Sequence, residues 1–192
     1  MEKLAGYVEH IIYRNTDNGY TVLNLVSGED EITCVGIFST IAEGENIEAT
    51  GDYTDHPTYG TQFKVVSFEE KAPEDQEAIE RYLGSGAIKG IGLAMAARIV
   101  RRFKEDTFRI IEEEPERLVE VKGISERKAM EIASQVNEKR DLRQAMIFLQ
   151  QFGITMNLAV KIYNKYGQEV YGILKELSLI HISEPTRQAE IS

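Results

Sequence analysis

The sequence predicts a chain that is α+β by segments, with a five-stranded β-barrel first and an all-helical region after it. Up to about Ala72, apolar and polar residues alternate, as in "YTVLNLV" over residues 20–26, and this period of two is typical of strands. From Pro73 onward, apolar residues recur three or four positions apart, as in "AARIVRRF", which is typical of helices that bury one face. The change of period therefore divides the chain near residue 72.

The N-terminal strands are separated by breaks that contain glycine. The segment "TDNGYT" places Asn18 and Gly19 between two alternating runs, which indicates a hairpin because such turns need positive φ. Five short strands in about 70 residues fit an OB-like barrel, with an SH3-like barrel as the alternative. The predicted strands are 6–14, 20–26, 31–38, 46–53 and 62–69, and "DHPTYGTQ" over 55–62 is expected to be an exposed loop.

The helical half contains a repeat built around Gly-Ile. The segments "IKGIGLAMAARI" (88–99), "VKGISERKAMEI" (121–132) and "QFGITMNLAVKI" (151–162) align without gaps, each with alanine six residues and isoleucine nine residues after its glycine. Glycine allows a tight turn and alanine allows close helix approach, so the repeat predicts arrayed helical hairpins. The expected domains are the barrel (1–72), two hairpin units (73–140) and an incomplete third unit (141–176).

A glycine turn at the start of a helix is a candidate anion site. Its unpaired N–H groups point outward beside the positive end of the helix dipole, and a DNA phosphate suits such a place. The helix after the first turn adds four cations, and no acidic residue occurs from Ser85 to Lys104, which favours contacts with a phosphate backbone. A merely solvated helix face is the alternative. The second unit has fewer net positive charges, and the third, with only Lys161 and Lys165 nearby, suggests packing instead.

The net charge of −10 comes almost entirely from the barrel. Residues 1–72 hold 4 Lys and Arg against 13 Asp and Glu, whereas residues 73–176 hold 17 of each. The aromatic residues of the barrel would suit single-stranded DNA, but its acidity would repel a polyanion at ordinary salt. We therefore expect the barrel to dock on protein instead.

Several function classes are disfavoured by the sequence. Three scattered histidines and one cysteine form no zinc motif, and Cys34 lies in an apolar run typical of a core strand. No apolar run approaches the roughly 20 residues of a membrane helix, and the first residues do not follow the pattern of a signal peptide. We expect a cytoplasmic protein with no membrane contact, no metal site and no catalytic residues between positions 1 and 176.

Residues 177–192, "LSLIHISEPTRQAEIS", do not continue the sequence pattern of the residues before them. Back-translated, they resemble a transposase-type sequencing adapter read in frame, and such segments are excluded from fold reasoning. We expect the natural protein to continue differently beyond Glu176.

The order of the segments resembles a known family. "GIGLAMAARIV" with "VKGISERKAMEIA" resembles tandem helix-hairpin-helix modules, which bind DNA phosphates without sequence preference. "GYVEHIIYRNTDNGYTVL" and "GDYTDHPTYGTQFKV" ahead of these modules resemble the N-terminal region of RecD-like ATP-dependent DNA helicases, over residues 1–176. The resemblance implies an accessory DNA-binding region that precedes a 5'-3' motor, with a role in DNA repair and recombination.

The resemblance and the charge pattern together give the predicted DNA contacts. Ser125 stands where the first turn has Gly92, so we expect the second turn to bind DNA more weakly than the first. ATP and Mg²⁺ are expected only in the motor, since no G-x-x-x-x-G-K-[ST] stretch occurs in the printed sequence. A stand-alone helical-repeat adaptor that binds proteins is the alternative function. The predicted contact residues are Lys89, Gly90, Ile91, Gly92, Arg98, Arg101, Arg102, Lys104, Lys122, Gly123, Ile124, Ser125, Arg127 and Lys128.

Overall fold

A computed structural model describes residues 1–183 of the chain. Most of the segment predicted to derive from an adapter, 184–192, lies outside the described residues. Five strands form the N-terminal half: β1 Glu2–Arg14, β2 Tyr20–Ser27, β3 Asp30–Ile37, β4 Asn46–His56 and β5 Gly60–Lys71.

The strands form a closed barrel in the order β1-β2-β3-β5-β4, as the alternating pattern predicts. Every pairing is antiparallel except that of β3 with β5, and β1 closes the barrel by pairing with β4. The β1–β2 turn contains Gly19 at a φ of 76°, so the predicted hairpin is confirmed. Cys34 is fully buried, and burial raises the pKa of its thiol to about 12, which agrees with a core role.

Residues 55–61 are exposed as predicted, but the prediction of a loop over 55–62 is wrong. β4 continues to His56 and β5 begins at Gly60, which leaves a turn of three residues. Gly60 adopts a φ of 75°, and His56 Nδ1 accepts hydrogen bonds from the amides of Thr58 (3.1 Å) and Tyr59 (3.3 Å). Over residues 55–61 the strands of this hairpin have no buried face, so their residues are mostly polar. A polar segment of this kind has the composition of a loop.

The helical half contains α1 Gln76–Gly84, α2 Leu93–Phe103, α3 Thr107–Glu113, α4 Glu126–Gln151, α5 Met156–Tyr166 and α6 Val170–Ser183. A 3₁₀ turn, Lys104–Asp106, joins α2 to α3, and others cover Pro115–Glu120 and Gly167–Glu169. The first hairpin unit is α1 and α2, and the second is α3 and the start of α4. The third uses the end of α4 together with α5, so α4 runs through position 140 without interruption.

The repeated small and apolar residues occupy the core as the repeat predicts. Ala96, Ala129 and Ala159 are all fully buried, as are Ile99 and Ile132. In the first two units these side chains join one apolar cluster, while the third unit has a smaller cluster of its own. The first two hairpins therefore form one packed body, and the third is only partly covered.

The barrel packs against the helices on two sides. The Arg81 guanidinium lies over the Tyr7 ring at 4.0 Å, and Asn164 Nδ2 donates to the Thr16 carbonyl oxygen at 2.8 Å. Within residues 1–183, no helix combines the length and apolar character needed to cross a bilayer. The same residues contain no group of three or more His, Cys, Asp or Glu side chains placed to hold a metal ion.

Candidate nucleic-acid interface

The first two Gly-Ile turns have the backbone that their sequence predicts. Gly90 adopts a φ of 89° and Gly123 a φ of 97°, a region that L-residues with side chains rarely occupy. The isoleucines that follow point inward, because Ile91 is 3% exposed and Ile124 is 6% exposed. The side chains of these two isoleucines are therefore not available to a ligand, and their amides already donate to the carbonyl oxygens three residues earlier at 3.3 and 3.1 Å. The glycines remain exposed.

The two turns pack against each other's second helix. A β-carbon placed on Gly90 would lie 3.5 Å from Lys128 Cε, and one placed on Gly123 would lie 3.5 Å from Met95 Cε. Lys128 and Met95 occupy equivalent positions, each five residues after the glycine of its own unit. The contact is thus reciprocal, and it places the two turns side by side as a pseudo-symmetric pair.

In the described part of the chain, no side chain accepts a hydrogen bond from the first amides of α2. α2 begins after Gly92, which has no side chain to cap it, and Gly92 and Leu93 are both exposed. In the second turn, Ser125 Oγ accepts a hydrogen bond from the Lys128 amide at 3.2 Å. One donor of the second helix start is therefore already used, which supports the expected ranking of the first turn above the second.

Several predicted cations remain available to a ligand. Among the residues that the structure describes, no carboxylate lies within ion-pair distance of five of them. Four of the five are exposed, Lys128 is half-buried, and they surround the two turns and follow α2. These five are Lys89, Arg101, Lys104, Lys122 and Lys128.

The remaining predicted arginines have partners within the protein. Arg102 forms an ion pair with Glu120, and Arg127 Nε lies 2.9 Å from Glu131 Oε1. Arg98 is half-buried; its Nε donates to the Ala94 carbonyl oxygen at 3.3 Å, and its guanidinium faces Gly123. Contacts from these three side chains to a phosphate would compete with the bonds that they already make.

Gln135 is a site residue that the sequence analysis missed. Its Oε1 accepts from the Lys89 amide at 2.8 Å, and its Nε2 donates to the Lys89 carbonyl oxygen at 3.1 Å. Gln135 stands twelve residues after Gly123, as Arg102 stands twelve after Gly90, and Arg102 likewise reaches the segment before the other turn. The repeat could have suggested this role, but a glutamine on a polar helix face carries no signal alone.

The third turn differs from the first two in chemistry. Gly153 adopts a φ of 74°, but Phe152, 48% exposed, replaces the lysine that precedes the glycine in the other units. The N-cap residue Thr155 makes no side-chain cap bond. An exposed aromatic ring in place of a cation disfavours a phosphate site and agrees with the ranking of this unit last.

A buried charge cluster joins the acidic barrel to α4. Arg143 forms ion pairs with Glu70 and with Glu45, whose Oε1 lies 3.6 Å from Arg143 Nη2. Glu45 is 6% exposed, and burial, with a further contribution from the neighbouring Glu70, raises the pKa of its carboxyl to about 7. Part of the barrel's acidity thus faces the helical region rather than solvent.

Comparison with protein families assigns both halves of the chain. Residues 1–73 match the model of the OB-fold domain of the ATP-dependent DNA helicase YrrC. Residues 75–141 and 138–177 match the model of the helix-hairpin-helix domain of the ATP-dependent RecD2 DNA helicase. The chain belongs to the RecD-like helicase family. Its barrel is therefore of the OB type and not of the SH3-like type.

A curated member of the RecD-like family shows how much of a whole helicase this chain represents. The chain is 26% identical over 182 residues to the ATP-dependent RecD2 DNA helicase of Deinococcus radiodurans. The match covers 91% of this chain but 25% of that helicase, so the chain spans a quarter of the length of this relative. Among solved structures, the S. pombe Stn1-ten1 complex matches 37% of this chain and 57% of its own, at 20% identity and a TM-score of 0.31.

Proposed function

We propose that this chain is the accessory DNA-binding region of a RecD-like 5'-3' ATP-dependent DNA helicase of the cytoplasm. It binds DNA without sequence preference, through the amides of the two paired turns and the cations beside them. The motor, with its ATP and Mg²⁺, lies in another part of the whole protein, and this chain needs no cofactor of its own.

One observation carries the proposal, namely the reciprocal pairing of the Gly90 and Gly123 turns. Pairing places two exposed turns next to each other, and Lys89 and Lys122 stand at equivalent positions on them. Backbone amides and lysines at helix starts suit phosphate oxygens and read no base edges. Such a site supports binding that is independent of sequence and that weakens with salt.

For the barrel, we propose docking on the motor rather than DNA binding. With 4 basic against 13 acidic residues over 1–72, its field would repel a phosphate backbone. The Glu45, Glu70 and Arg143 cluster supports this role, because in it two acidic side chains of the barrel are already paired with an arginine of the helical region.

Fluorescence anisotropy with labelled duplexes and single strands of unrelated sequence tests the proposal. We expect dissociation constants of about 1 to 100 μM at moderate salt, similar for all sequences. Arg101→Glu should weaken binding about tenfold, since it removes a charge-assisted contact and adds repulsion. It should also reduce the slope of log affinity against log salt by about 0.7 to 0.9.

Lys64→Glu on the barrel is the matched control, because Lys64 is also an exposed cation but lies far from both turns in the sequence and on another domain. It should leave binding within about twofold of wild type. Equal affinities for wild type and Arg101→Glu would remove α2 from the site. Absence of DNA binding at low salt would instead favour the protein-binding adaptor.

A further inference from the structure

The third hairpin repeats the first at a fixed distance in the chain. Gly90 and Gly153 stand 63 residues apart, and α2 and α5 each contain 11 residues with the same offset at both ends. The 3₁₀ turns after them, Lys104–Asp106 and Gly167–Glu169, keep that offset, as do the first residues of α3 and α6. The segment α5–α6 is thus a copy of α2–α3.

The backbone of the connection supports this equivalence. Lys104 has φ 52° and ψ −131°, and Gly167 has φ 56° and ψ −136°. The residues before them, Phe103 and Tyr166, have φ values of −110° and −113°. α6 therefore leaves α5 in the direction in which α3 leaves α2. Because α3 is the first helix of the second hairpin unit, α6 stands where a fourth unit would begin.

The apolar positions of α6 are not covered as those of α3 are. Ile110 on α3 is 1% exposed, whereas its counterpart Ile173 on α6 is 39% exposed. Ile111 is fully buried, but its counterpart Leu174 is only partly buried. The residues that bury α3 come from α2 on one side and from α4 on the other, whereas among the described residues α6 packs mainly on α5 and the turn that joins them.

The third turn also lacks the contact that pairs the first two. A β-carbon on Gly153 would meet no atom of the described residues within 4 Å. Leu158, which corresponds to Met95 and Lys128, is 49% exposed, whereas Met95 is 9% exposed. The third hairpin thus presents a pairing face, formed by Gly153 and Leu158, that no described residue covers.

We propose that this pairing face binds a fourth helix-hairpin-helix unit, which begins with α6 and continues in the natural chain. The offset of 63 residues from Gly123 places its turn glycine at position 186, where the printed sequence has Thr186 within the adapter-like segment. The matches to the helix-hairpin-helix family model agree, because they begin at residues 75 and 138, again 63 apart, and the second stops at residue 177.

A fourth unit of the same chain suits the face better than a second copy of the protein. α6 is already joined to α5 with the geometry of α3, so a turn that follows it reaches Gly153 without a separate association step. An intramolecular partner of this kind has a high effective concentration. The completed molecule would hold two hairpin pairs joined by α4.

The first test is the natural gene, read across codon 176 from unfragmented DNA. We expect an open frame with a Gly-Ile turn at position 186, or within about two residues of it because element ends vary by that much, and alanine six residues later. A natural reading frame without a glycine turn in that window would overturn the proposal.

The second test measures whether the pairing face is covered in the natural-length protein. Leu158→Cys and, as control, Met130→Cys on the exposed side of α4 are labelled with a maleimide, since the native Cys34 is buried. In the protein of 192 residues, both cysteines should react with the maleimide at similar rates. In the natural-length protein Leu158→Cys should react about tenfold more slowly, because the pair must open first.

Two outcomes would contradict the fourth unit. Equal labelling of Leu158→Cys and Met130→Cys in the natural-length protein would show that nothing covers the face. Protection of Leu158→Cys in the printed chain that rises with concentration, together with a dimeric mass in light scattering, would show that a second copy occupies it instead.

Discussion

The side-chain amide of Gln135 holds both polar groups of Lys89, accepting from its N–H at 2.8 Å and donating to its carbonyl oxygen at 3.1 Å. A residue of the second unit therefore fixes the turn of the first. Because Lys89 immediately precedes Gly90, these bonds set the orientation in which the first turn faces a ligand.

Gln135→Leu should loosen the first turn without unfolding the protein. Loss of two partly exposed hydrogen bonds should cost about 1 to 2 kcal/mol of unfolding free energy and weaken DNA binding severalfold. Hydrogen exchange at the Lys89 amide, measured alongside anisotropy, checks the cause. Gln135→Glu is the control, because it keeps the acceptor for the Lys89 amide and should show less exchange than Gln135→Leu. Unchanged exchange in Gln135→Leu would mean that the bond does not form in solution.

Ser125→Gly should make the second turn resemble the first. The substitution removes the hydroxyl that caps the Lys128 amide and should cost only a few tenths of a kcal/mol, because glycine is tolerated at N-caps. With one more free donor, affinity for DNA should rise about twofold. Ser125→Thr keeps a capping hydroxyl and should bind as wild type does. A weaker Ser125→Gly variant would show that the hydroxyl itself contacts DNA.

Gly44→Ala should disturb the junction between the barrel and α1. Gly44 adopts a φ of 82°, and a β-carbon there would lie 2.7 Å from Tyr82 Cα. Gly28 also has positive φ, 63°, but has open space around it, so Gly28→Ala should cost only about 1 to 2 kcal/mol for the conformation. Chemical denaturation should show a larger loss for Gly44→Ala. Equal losses would mean that the junction adapts without strain.

Glu45→Gln should stabilise the protein increasingly as pH rises. The pKa of Glu45 is raised to about 7 by burial and by Glu70, so its contribution to stability is full below its ordinary pKa and is lost as pH rises toward 7. The charged groups that face it are Glu70, Arg143, Lys139 and Arg14. The melting temperature of the variant relative to wild type should therefore increase between about pH 4.5 and pH 8.

Glu48→Gln, three residues further along and within β4, is the control of opposite sign. The hydrogen bond and charge of Lys3 lower the pKa of Glu48, so loss of this carboxylate should slightly lower the melting temperature above the ordinary pKa of glutamate. A Glu45→Gln variant that tracks wild type at every pH would show that Glu45 is solvated in solution.

The sequence predicted the barrel, the helical repeat and the buried alanines, because each depends on local periodicity that folding preserves. It missed Gln135 and the pairing of Arg102 with Glu120, because those contacts join residues 46 and 18 positions apart and depend on how the units pack. The prediction of a loop over 55–62 was wrong, because an exposed hairpin and a loop have similar polar compositions. The contacts proposed for DNA remain predictions, with Lys89, Arg101 and Lys104 better placed than Arg102 and Arg127.

The 26 residues of α4 form a single helix about 39 Å long. Near its start Gln135 holds the first turn, in its middle Arg143 meets the barrel, and at its end Leu149 lies in the core of the third unit. Because one uninterrupted helix joins these three regions, it sets the orientation of each relative to the others. We therefore expect a ligand that reorients the first pair of hairpins to move the third hairpin as well.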